Sequence, residues 1–69
     1  MNAFELKFYE IGIKDANENR HIVLAYQSER YKQLSKEQSV QIGDKRGNVV
    51  KAYNDGVAFE INRQTMLEM

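Results

Sequence analysis

Apolar positions along this chain recur in short runs, separated by glycines and polar clusters, and most of the runs alternate with period two. Phe4, Leu6 and Phe8 share one face, after which the apolar set changes phase to Tyr9, Ile11 and Ile13; a strand accommodates such a shift by a bulge or sharp bend near Phe8 and Tyr9. The polar stretch from Lys14 to Asn19 reads as a turn. It leads into His21-Ile22-Val23-Leu24-Ala25-Tyr26, apolar on both faces as a central strand would be. Residues 28–38 place Tyr31 and Leu34 on one helical face and predict a turn or two of helix. Ser39 to Gly43 alternates again, with Val40 and Ile42 pointing inward, and Met66 and Leu67 predict a short helical turn within 62–69.

The clearest turn signal is Asp55-Gly56. As a two-residue hairpin loop it pairs Val50 with Ile61, Ala52 with Phe59 and Lys51 with Glu60, so that Val50, Ala52, Val57, Phe59 and Ile61 share the core face. Together these elements predict a mainly β domain, with α+β as the alternative: a small, bent antiparallel sheet of four or five strands carrying one short helix. The stretch Ile42-Gly43-Asp44-Lys45-Arg46-Gly47-Asn48-Val49-Val50-Lys51-Ala52-Tyr53-Asn54-Asp55-Gly56-Val57 resembles the centre of SH3-like small barrels of the KOW type, in which a glycine turn feeds a Gly-x-Val-Val strand and a tight hairpin. The resemblance, confined to residues 42–57, implies an SH3-like barrel. It also implies a binding module without chemistry, contacting RNA, ribosomal or transcription-complex proteins, or peptides.

With 69 residues the chain suffices for a single domain over residues 1–69, and its 42% hydrophobic and 29% charged residues are those of a folding chain. It has no cysteine, which removes disulfides and thiolate chemistry and points to a reducing, cytoplasmic setting. No apolar run reaches the length of a membrane span, and the charged, alternating N-terminus does not read as a signal peptide. A core this small is near the lower limit for independent stability, which makes a homodimer a candidate assembly.

Chemistry is sparse. His21 is the one histidine, so a His/Cys metal site is excluded and any Ser-His-Asp arrangement would rest on it; its place at the head of an apolar strand predicts a half-buried structural role. Gly43-Asp44-Lys45-Arg46-Gly47 sets two cations between glycines but lacks the Lys-Ser/Thr end of a phosphate-binding loop, so it reads as a solvated turn. Neither a catalytic group nor a cofactor is expected.

Two functions remain. The first is a non-catalytic accessory or regulatory module that binds a partner protein, with Tyr9, Tyr31 and Tyr53 as candidate anchors. The alternative is an RNA or single-stranded DNA binder. Residues 30–51 hold six basic and two acidic side chains although the whole chain is neutral, and Arg30, Lys32, Lys45, Arg46 and Lys51 are the candidate contacts.

Overall fold

The computed structural model describes residues 1–68 and holds three α-helices: α1 (Ala3–Asn19), α2 (Glu29–Glu37) and α3 (Val49–Glu68), with a 3₁₀ turn at Ala25–Gln27 before α2. No strand occurs among the described residues, which corrects the mainly β expectation, its α+β variant and the SH3-like resemblance together. The segment 42–57 that carried the resemblance is a loop followed by the first two turns of α3. Asp55-Gly56, read as a hairpin loop, lies inside that helix, and both proposed hairpin strands belong to it.

Each helix begins on a side chain that satisfies its free N–H groups. Asn2 opens α1 with a capping box: Glu5 N–H donates to Asn2 Oδ1 at 2.8 Å, and Asn2 N–H donates to Glu5 Oε1 at 3.3 Å. Ser28 caps α2 by accepting from Tyr31 N–H at 3.0 Å, and Asn48 accepts from Lys51 N–H at 3.0 Å at the head of α3. Helix α2 ends in a left-handed residue, Ser39 at φ 51°, with Val40 N–H donating to Ser35 C=O and Ser39 N–H to Lys36 C=O. Only this short helix matches the expectation for residues 28–38.

Helices α1 and α3 run parallel and in register. Asn48 meets Glu5, Gly12 lies between Tyr53 and Val57, Asn17 meets Glu60, and Arg20 meets Glu68. Their backbones touch at two glycines: a methyl group on Gly12 would overlap the Tyr53 carbonyl oxygen, and one on Gly56 would overlap the Tyr9 carbonyl oxygen. With Ala16 and Ala52 one turn away and buried, each helix presents small residues at a four-residue spacing, and the pair closes to backbone contact. Parallel helices also set two positive N-termini side by side. Glu5 sits between them, accepting from Asn2 N–H of one helix and, at 3.0 Å, from Asn48 N–H of the other.

The return path, residues 20–48, packs on one side of this pair. Tyr31 of α2 stacks edge-on between Phe8 and Tyr53, at centroid distances of 5.6 and 5.5 Å, and Phe8 continues to Phe4 at 5.7 Å. Phe8 and Tyr53 are the two large side chains that are fully buried. Residues 21–26, expected as a central strand, are irregular up to the 3₁₀ turn, and Ile22 and Tyr26 are exposed there. Val40 is half-buried as expected, but Ile42 points fully into solvent from the loop before α3. Met66 and Leu67 belong to the last turns of α3 and are exposed, and the final residue of the expected turn lies outside the described residues. No described helix is long and apolar enough to cross a membrane.

Candidate functional site

Two polar clusters lie inside the fold, and both bind helices to one another. Asp15 of α1, 5% exposed, accepts from Ser28 Oγ and from the Tyr53 hydroxyl, each at 2.5 Å, and from Arg30 at 2.8 Å. Arg30 then holds Glu18 through both terminal nitrogens. Burial pushes the Asp15 carboxyl upward, but the donors from Ser28, Tyr53 and Arg30 outweigh it and leave the group below the usual carboxylate range. The same burial, together with the Asp15 hydrogen bond, pushes the Tyr53 hydroxyl up to about 12. In the second cluster Glu60, 2% exposed, accepts from Arg63, Asn17 and Gln64, and Arg63 first among them lowers it to about 2. Gln64 also donates to the Ala16 carbonyl at 3.2 Å. Each carboxylate oxygen of Asp15 and Glu60 is thus already engaged by donors of the fold. These clusters are suited to anchoring, not to proton transfer.

Tyr53, wholly buried and bonded to Asp15, is a core residue, and Tyr31 is half-buried, packed edge-on between Phe8 and Tyr53. Tyr9 lies elsewhere, on the side of the α1/α3 pair away from α2, half-buried against Phe59 at a centroid distance of 6.2 Å.

Four of the five basic candidates are held by carboxylates. Arg30 is bound to Asp15 and Glu18, Lys32 to Glu29, Arg46 to Asp44 and Lys51 to Asp55. Arg46 additionally donates to the Gln38 carbonyl at 2.9 Å and covers the Phe4 ring at 4.3 Å, which staples the loop before α3 onto α1. Lys45, on that exposed loop, makes no ion pair among the described residues. His21 is exposed rather than half-buried, with Nδ1 2.9 Å from the Ile22 carbonyl oxygen. No group of three or more His, Asp or Glu side chains is gathered among the described residues.

The surface that distinguishes the molecule is the uncovered side of the α1/α3 pair. Leu6, Tyr9 and Ile13 recur there at helical spacing on α1, and Phe59 and Met66 lie seven residues apart on α3. Leu6 is 43% exposed, Phe59 52% and Met66 73%. A concavity of about 640 Å³ opens elsewhere, between Tyr31 and Ser35 of α2, the loop at Val40 and Ile42, and the head of α3 at Val49 and Val50. Ser35 Oγ is enclosed beside it with no hydrogen-bond partner.

Comparison of the chain with family models, curated proteins and solved structures returns no match. The site therefore stands on its own geometry. Of its five residues, the sequence reading named only Tyr9 as a candidate contact. The period-two pattern puts Leu6 and Phe59 on strand core faces and Ile13 out of phase with Leu6, and Met66 falls in a short helical turn, so none of the four reads as a surface contact. A period of 3.6 residues, applied to 6–13 and 59–66, gathers them on two adjacent stripes.

Proposed function

We propose that this chain is a non-catalytic binding module that acts by docking a partner protein against Leu6, Tyr9, Ile13, Phe59 and Met66. The observation that carries the reading is the exposure of Leu6, Phe59 and Met66 on the uncovered face of the helix pair, since large apolar side chains grouped on one exposed face of a small domain mark an interaction site. Its aromatic pair, Tyr9 against Phe59, has the composition of an interface anchor. Among the described residues four of the five candidate cations already have carboxylate partners, which favours protein over nucleic acid. Engaged carboxylates at Asp15 and Glu60 support a role without catalysis.

The test is capture by the tagged chain, with and without nuclease, comparing the natural sequence with Phe59→Glu and Lys45→Glu. A stoichiometric protein that survives nuclease, is lost with Phe59→Glu and is kept with Lys45→Glu is the expected result. Capture that disappears with nuclease and with Lys45→Glu, but withstands Phe59→Glu, replaces this reading with nucleic-acid binding.

A further inference from the structure

We infer that the partner on this strip is a second copy of the chain, packed so that two parallel helix pairs face each other in opposite directions; the inference rests on the docking reading above and names its occupant. The argument begins with what the monomer leaves unburied. Among the described residues Phe8 and Tyr53 are the fully buried large side chains, and three of the seven buried hydrophobic residues are alanines. Domains of this length without disulfide or metal usually need additional burial. A partner that supplies it must be present wherever the chain is present, and a second copy meets that condition without further assumptions.

The available area agrees. Helices of 17 and 20 residues, at about 1.5 Å per residue and about 10 Å across, offer roughly 500 Å² in projection, and more once side-chain relief is counted. A standard interface takes about 800 Å² of accessible surface per partner. From a chain that exposes 4918 Å² in all, that is about one sixth of the surface. Zero net charge removes the long-range repulsion that would oppose self-association.

Direction follows from the helix dipoles. Because α1 and α3 point the same way, their dipoles add; a two-fold axis perpendicular to them sets each pair against an oppositely directed pair and offsets that sum. This arrangement lays the centre of the strip, Ile13 and Phe59, against the same residues of the second copy. Leu6 of one copy then points toward the Met66 end of the other.

Sedimentation equilibrium at micromolar concentration tests the inference, with circular dichroism as the check on folding. The natural chain is expected at twice its 8.1 kDa mass, and Phe59→Glu and Met66→Lys, both at exposed positions, at the single mass with helicity kept. Since the chain contains no cysteine, one spin label at Asn62→Cys reports intermolecular distances only. A single defined distance that is lost on dilution below the dimer midpoint is expected, and it decides the matter should Phe59→Glu fail to fold. A monomer at all accessible concentrations overturns the second copy; if Phe59-dependent capture persists in that case, the docking reading survives alone. A dimer indifferent to both substitutions overturns the inference by placing the contact elsewhere.

Discussion

Asp15 and Glu60 are ionised carboxylates inside a very small core, and each is held by donors from more than one helix. Asp15 binds Ser28 and Arg30 on the return path and Tyr53 on α3; Glu60 binds Asn17 on α1 and Arg63 and Gln64 on its own helix. In the unfolded chain these donors are gone and both groups return to ordinary values, so the folded state binds protons more weakly. A depressed folded pKa contributes stability that is fully present above the unfolded value and is lost as pH falls through the folded one. For Glu60 that window runs from 4.5 down to about 2; Asp15 and Glu5 are shifted in the same direction and add to the loss. Tyr53 acts at the other extreme: raised to about 12, it favours the fold below the unfolded value of 10.0 and ceases to do so as pH rises through about 12. Thermal unfolding followed against pH should therefore show a falling midpoint below pH 4.5, with the Glu60→Gln variant less stable at neutral pH and less sensitive to acid. Identical acid profiles for the two proteins would remove Glu60 from this account. Replacing Asp15 by Asn puts an amide NH2, a donor, in place of one of the two oxygens that accept from Ser28, Tyr53 and Arg30, and should cost about 2 kcal/mol, on the order of 10 °C in midpoint for a domain of this size.

At the scale of elements, the decisive residues are the two glycines between α1 and α3. In an isolated helix, Gly→Ala gains about 1 kcal/mol. Here the added methyl would meet a carbonyl oxygen of the opposite helix, at Tyr53 for Gly12 and at Tyr9 for Gly56. The helices must separate to admit it, at a cost of about 1–3 kcal/mol or more for overpacking. Gly12→Ala and Gly56→Ala should thus each be destabilised by ~2 kcal/mol net in urea unfolding, whereas Ala58→Gly, on an exposed position of α3, should lose only ~1 kcal/mol. Stabilisation by either alanine would show that the backbones do not touch. The same glycines explain how far the sequence could be read. Gly56 after Asp55 has the letters of a hairpin turn, and the β-branched residues around it fit two strands; what local pattern does not reveal is the backbone of Tyr9, far earlier in the chain, which requires a residue without a side chain at Gly56. Two signals were legible and pointed to helix. Asn2-x-x-Glu5 is a capping box in letters, and Val49, Ala52/Tyr53, Gly56/Val57, Glu60/Ile61 and Gln64 follow a 3–4 spacing that only the polar character of Glu60 and Gln64 conceals. Tyr31 and Leu34 point to the short helix because their spacing fits the helical period and no alternation competes with it there.

For the whole molecule, the distribution of burial divides the chain into a rigid pair and a covering segment. Helix α2 has no fully buried residue of its own; it is held by Tyr31 and Leu34 against the core and by Ser28 and Arg30 at Asp15. Helices α1 and α3, by contrast, share backbone contact, the Glu5 clamp at one end and the Glu60 cluster toward the other. Opening α2 therefore exposes Phe8 and Tyr53 on one side but leaves the glycine seam closed, and such a partial opening lies below global unfolding in free energy. Amide hydrogen exchange should reflect this order, with α2 amides exchanging faster than those at the centres of α1 and α3 by about tenfold for each 1.4 kcal/mol between the two openings. Asp15→Asn removes the acceptor that ties the head of α2 to both long helices, so it should accelerate exchange in α2 more than at the seam, where Gly12 and Gly56 keep the backbones together. Equal acceleration in all three helices would mean that α2 opens only with the whole fold, and that the aromatic stack through Tyr31, rather than the Asp15 cluster, sets its cooperativity.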